Sequence, residues 1–202
     1  MSSYRSLTPA DADSAARVIS QAFFDDPLIQ FMLPLRWTRF QTLYKYFLPM
    51  TEVCTRRNRV FGVGEPLQGV AYWKSPDEKE MAINSGNITK FLPLLLTLFP
   101  LAYLRAKTII DKTEEMHRRY TGEPHYFLEN LGVLSTSRGK GFSSQLIRPI
   151  LAQADQKKML AYLDTVNPVN VPIYEHFGFE CVEKAAIPGT GVTVFAMRRL
   201  PR

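Results

Sequence analysis

The sequence is poor in the residues that build metal centres and covalent cross-links: two cysteines and three histidines in 202 residues. Cys54 and Cys181 stand far apart without metal-ligand spacing, and His117, His125 and His176 share none, so neither a disulfide framework nor a metal site is expected. An N-terminal apolar segment with a cleavage site is also missing, and the expectation is a reduced, cytoplasmic protein. Long hydrophobic runs are scarce. The most apolar stretch, ITKFLPLLLTLFPLAYL from Ile88 to Leu104, contains Lys90, Pro93 and Pro100, and it is shorter than the roughly 20 apolar residues that span a bilayer. It reads as a buried or cleft-lining helical pair broken at the prolines, not as a membrane span. Internal repeats and low-complexity tracts are absent.

What is present is an ordinary globular composition, 46% hydrophobic and 22% charged, long enough for a sizeable core in one domain over residues 1–202. The net charge of +6 is scattered and forms no basic stripe, so it suits an anionic small ligand at least as well as nucleic acid. Nucleic acid is not expected as a partner, and a monomer or homodimer is.

The chain opens with YRSL as a short strand. In TPADADSAARVISQAFF, Thr8 is placed as N-cap and Pro9 at the first helical position, and the apolar spacing from Ala15 to Phe23 is helical. That pattern stops at DDP, where Pro27 disfavours helix in the residue before it. A second helix is expected from about Trp37 to about Thr55, then a hairpin from RVFGVGE and QGVAYWK. Residues 77–121 are helical in character, an insertion within the domain. Next come a strand in HYFLENLGV, a helix from Ser144 to Lys157, a strand in LAYLDTV, a short helix in NVPIYEHFG, and strands in FECVEKAAI and VTVFAMRRL. This order indicates an α/β or α+β layer with some parallel pairing.

The loop SRGKGFSSQL places Gly139 and Gly141 between a strand and a helix start, where unpaired N–H groups and a partial positive charge face any bound anion. It is neither a dinucleotide GxGxxG nor a triphosphate GxxxxGK[ST] loop, and by itself it is also consistent with a plain turn. Arg138-Gly139-Lys140-Gly141-Phe142-Ser143 nevertheless resembles the R/Q-x-x-G-x-G/A signature of the GNAT superfamily of N-acyltransferases, with Ser143 departing from the usual Gly or Ala. LDTVNPVNVPIYEHFGF, Leu163 to Phe179, is similar to a second landmark of that family, N-x-x-N-x-x-x-Y-x-x-x-G-F after a strand. The order of the other segments, AFFDDP and AYWKSP included, looks like the puromycin N-acetyltransferase-like branch.

The resemblance implies a mixed, mostly antiparallel central sheet with one parallel, splayed pair, flanked by helices. It implies acetyl-CoA as cosubstrate: N–H groups from Arg138 to Ser143 on the pyrophosphate, the backbone of Leu131 and Val133 along pantetheine, and Asn170 on the same ligand. Arg138 and Lys140 either attract phosphate or are solvated charges. Tyr174 matches the family's tyrosine at the departing sulfur, although its spacing with Ile173 and Phe177 also fits a core aromatic. Glu129 is a candidate general base or a solvent-facing glutamate, and a bulge near Gly132 would change which face it meets. Asp25 and Asp26 lie where the family lines its acceptor cleft, and either recognise a cationic amine or cap the turn. The expected activity is transfer of acetyl, by direct attack in a ternary complex, to a primary amine of a small amphipathic molecule. A non-catalytic acetyl-CoA sensor is the alternative.

Overall fold

A computed structural model describes residues 4–77, 99–122 and 124–202; most of the apolar run Ile88–Leu104 lies outside them. Seven strands form one sheet: β1 (Arg5–Ser6), β2 (Val60–Val63), β3 (Gly69–Lys74), β4 (Tyr126–Val133), β5 (Ala161–Thr165), β6 (Glu180–Ile187) and β7 (Val192–Arg199). Their spatial order is β1-β2-β3-β4-β5-β7-β6, and every pairing is antiparallel except β4 with β5. The expected mixed sheet with one parallel pair is therefore observed.

The helices are α1 (Ala12–Ala22), α2 (Pro27–Met32), α3 (Arg36–Thr55), α4 (Phe99–Thr121), α5 (Phe142–Gln156) and α6 (Val171–His176). The first begins in a 3-10 turn, Pro9–Asp11, where the Asp11 carboxylate accepts from both the backbone N–H and the hydroxyl of Thr8 at 2.9 Å. Helix α2 was not expected. Proline at its first position needs no N–H there, and Asp26 caps it by accepting from Leu28 N at 3.0 Å.

Two layers of helix cover the sheet. One face carries α5, with Leu146, Ile147 and Ile150 packed against Ala71, Trp73, Leu128 and Leu163. On the other, α1 and α3 cover Val60, Val70 and Tyr72, while α4 covers Tyr162, Val194 and Ala196. Gly132 is where β4 touches α1: an added Cβ would come within 2.7 Å of Ile19 Cδ1 and 2.8 Å of Ala22 Cβ. No described helix is long and apolar enough to cross a membrane.

Two irregularities of β4 position the site. Tyr72 lies opposite Asn130 but Trp73 lies opposite Leu128, so Glu129 is the extra residue of a β-bulge. The bulge thus sits three residues before Gly132, and it moves the α5-facing set from even to odd positions: Tyr126 and Leu128 before it, Leu131 and Val133 after it. The second irregularity is a parting of strands. β4 and β5 are paired only through Tyr126–Phe127 and Ala161–Tyr162, although β4 continues to Val133 and β5 to Thr165.

Candidate active site

Where β4 and β5 part, a cleft of about 430 Å³ opens. Leu131, Gly132 and Val133 form its strand side, with a β4 edge that has no partner strand along this stretch among the described residues. Unpaired backbone N–H and C=O groups demand hydrogen-bond partners, so an extended ligand with amide groups fits this edge as a strand would.

At the end of β4 the chain passes through a 3-10 turn, Ser135–Ser137, into the glycine loop. Gly139 and Gly141 have φ of +77° and +76°, and a Cβ built on either meets nothing within 4 Å. Conformation and an open concavity, not crowding by neighbouring atoms, account for glycine here. Gly141 is the N-cap of the 15-residue helix α5, so the first N–H groups of that helix face the cleft beside Arg138, Phe142 and Ser143. The β2–β3 hairpin braces the loop from behind: Gln68 O accepts from Leu134 N at 2.9 Å, and Ser137 Oγ donates to Gln68 Oε1 at 2.5 Å. Lys140 is exposed and is not among the cleft-lining residues.

The opposite wall comes from the α1–α2 turn and from the segment after β5. Asp25 is exposed and accepts from Arg36 Nη1 at 3.0 Å; Asp26 is partly buried, and burial raises its carboxyl above the usual range against the opposing Leu28 and Ile29 N–H groups. Both line the cleft. The buried guanidinium of Arg39, on α3, ties both ends of α2 by donating to Phe24 O before it at 3.0 Å and to Leu33 O and Pro34 O after it at 2.9 and 3.4 Å. After β5, Thr165 Oγ1 receives Asn167 N at 3.3 Å and Asn170 Nδ2 at 3.4 Å, a brace that puts Asn170 and then Tyr174 on the cleft.

Tyr174 is 8% exposed and packs edge-on against Phe179 with ring centroids 6.2 Å apart. It is a core aromatic and a cleft residue at once. Burial, reinforced by Asp164 and Asp26, raises its phenol above the ordinary value, so it keeps its proton throughout the neutral range.

The remaining sequence candidate lies elsewhere. Glu129, the bulge residue, is not among the cleft-lining residues; its carboxylate is ion-paired with the buried guanidinium of Arg59. Two features escaped sequence reasoning. Asp164 on β5 makes no hydrogen bond or ion pair among the described residues, and burial pushes its carboxyl up to about 6. His117 and His125, which share no ligand spacing, meet at 2.7 Å between their Nε2 atoms, with His117 stacked on Tyr162. No group of three potential metal ligands occurs among the described residues.

The model of the acetyltransferase (GNAT) family matches residues 100–179, from α4 through the glycine loop to the start of β6. An uncharacterised N-acetyltransferase of Schizosaccharomyces pombe is 29% identical over 192 residues, covering 84% of this chain and 70% of its own. Among solved structures, an acetyltransferase of Corynebacterium glutamicum described as histone acetyltransferase HPA2 and related superposes with a TM-score of 0.69 at 20% identity, covering 100% of this chain and 97% of its own. Arylalkylamine N-acetyltransferase 2 of Aedes aegypti gives 0.66 at 13%, covering 100% and 99%. The PaiA N-acetyltransferase of Thermoplasma acidophilum, solved with coenzyme A, gives 0.58 at 13%, covering 99% of each chain. The fold is that of the GNAT acetyltransferases, part of the chain matches their family model, and together these likenesses support an acyltransferase enzyme.

Proposed function

We propose that this protein is an N-acetyltransferase that moves the acetyl group of acetyl-CoA to a primary amine of a small amphipathic molecule, both bound at once. The observation that carries the reading is the parted β4–β5 pair, which joins an unpaired strand edge, a glycine loop at a helix N-terminus and a protonated tyrosine in one cleft. Within that reading, the order of the motifs resembles the puromycin N-acetyltransferase-like branch.

The residues fit acetyl-CoA. Leu131 and Val133 offer backbone partners to the pantetheine amides; the N–H groups from Arg138 to Ser143 suit the pyrophosphate, with Asn170 across from them. Bound there, acetyl-CoA supplies an activated acyl group as a thioester. The chain then has three tasks: to hold amine and thioester together, to polarise the carbonyl with a β4 N–H, and to manage protons. Tyr174 gives its proton to the departing sulfur, a role its raised phenol fills without prior ionisation. Asp25 and Asp26 favour a cationic acceptor, in keeping with relatives named for arylalkylamines and for a polyamine N-acetyltransferase that forms N-acetylagmatine. In this reading α4, which shares an apolar cluster with Leu28 and Phe31 of α2, backs the acceptor side.

Mass spectrometry of the purified protein with acetyl-CoA and a panel of arylalkylamines, polyamines, aminonucleosides, amino acids and peptides tests it. An acetylated small amine is expected. Acetyl-CoA binding with every amine unmodified would favour a sensor, and acetylation confined to peptides would overturn the small-molecule acceptor.

A further inference from the structure

Asp164 differs from the other acids in contact with the sheet in having no cation to offset its charge among the described residues. It lies on β5 beyond the last residue paired with β4, opposite Ala196 of β7, and shares the α4 side of the sheet with Tyr162. Asp155 and Glu183 each hold arginine or lysine partners, and Glu129 holds Arg59; Asp164 holds none among the described residues. The groups named around it are neutral or anionic. Tyr174 of α6 lies under the influence both of Asp164 and of Asp26 at the start of α2, Tyr162 stands two residues back on β5 with Tyr120 and His117 of α4 around it, and Glu183 of β6 lies beyond Ala196. An uncompensated, partly buried carboxylate costs stability unless a cation or a proton joins it. Asp164 is not itself among the cleft-lining residues; it neighbours Tyr174, which is, on the side of the sheet that α2 and α4 cover.

We infer that Asp164 is the general base of the reaction, taking the acceptor's ammonium proton through one intervening water. This rests on the acetyl-transfer reading above. An N–H bond of the ammonium breaks and an O–H bond forms at Asp164; the freed nitrogen forms the amide C–N bond as the C–S bond breaks. The nitrogen loses two protons in all. One remains on Asp164 until solvent removes it, and the other replaces the proton that Tyr174 has given to sulfur. The carboxyl's upward displacement to about 6 suits a base working near neutrality.

The test is kcat/KM against pH, with acetyl-CoA and whichever panel amine the wild type acetylates, for wild type, Asp164→Asn, Asp164→Glu and Glu129→Gln. Wild type should lose activity as pH falls through about 6. Asp164→Asn should bind acetyl-CoA normally, lose about 100-fold in kcat/KM at neutral pH and lose that acid limb. Asp164→Glu should recover part of the rate with the limb displaced, and Glu129→Gln, whatever its rate, should keep the limb in place. Full activity or an intact limb in Asp164→Asn overturns the inference and leaves acetyl transfer standing; loss of the limb in Glu129→Gln instead gives the role to Glu129. A wild type that acetylates no amine removes the reaction itself and this assignment with it. If Asp164→Asn does not fold, the displaced limb of Asp164→Glu decides.

Discussion

The two walls of the cleft are made of different material. On the β4–α5 side the cleft offers chiefly main-chain N–H and C=O groups, set by a strand edge and by two glycines with positive φ. On the α1–α2 and α6 side they are side chains, Asp25, Asp26 and Tyr174, each held by its own packing or hydrogen bonds. A wall of backbone tolerates most side-chain changes but not a change of conformation; a wall of side chains can be rewritten residue by residue. The first therefore suits a ligand common to many such enzymes, and the second an acceptor particular to one.

The sharpest way to probe this contrast is on the side-chain wall. Tyr174→Phe should lower kcat by about 100-fold while leaving the acetyl-CoA dissociation constant nearly unchanged, measured by steady-state kinetics beside calorimetry. On the backbone wall, Gly141→Val forces a β-branched residue to φ near +76°. It should weaken acetyl-CoA binding by about 10-fold or more, with a stability loss of about 1–2 kcal/mol. A valine variant with native affinity would show that the nest is not what holds the phosphates. Next comes Arg39→Met, which removes one bond to the carbonyl of Phe24 before the Asp25–Asp26 turn and two to the α2–α3 connection. It should cost about 2 kcal/mol in denaturant unfolding and raise the acceptor KM more than that of acetyl-CoA.

Two smaller effects complete the series. Burial, with His125, Lys74 and Arg118 adding, lowers His117 to about 4, so the unfolded chain binds its proton more readily than the folded one. Stability from this group is intact above the ordinary histidine value and should decline as pH falls from about 6.5 towards 4; the thermal midpoint of His117→Gln should follow pH less steeply over that interval. Lys140→Ala should change acetyl-CoA affinity by less than about threefold, an effect that fades with added salt.

Much of the frame was legible in the sequence because it is written locally. Hydrophobic period, Pro9, Pro27 and the glycine pair mark where elements start and stop, and the strand-loop-helix order around Gly139 suffices to suggest a phosphate nest. Helix α2 was hidden because its six residues are too few to show a period. The side of Glu129 stayed open because a bulge, here at Glu129 itself, is defined only by the partner strand's register, and Arg59 as its ion-pair partner lies 70 residues away. Asp164 was silent for a related reason. In LAYLDTV it is one more alternating strand position, and the lack of a counter-charge is a property of the assembled face. His117 and His125 were dismissed on spacing, yet a helix end and a strand start bring their rings together.

The parting of β4 from β5 bears on how the protein survives as well as on what it does. Along that gap the sheet is short of one strand's worth of hydrogen bonds, and a bound pantetheine arm would supply them, acting as a guest strand. Folding and ligand supply are then linked. At a ligand concentration 100 times the dissociation constant the folded state gains about 2.7 kcal/mol. Amide hydrogens of Leu131 to Val133 should exchange with solvent more slowly in acetyl-CoA than without it, making the lifetime of the protein a gauge of how much cosubstrate surrounds it.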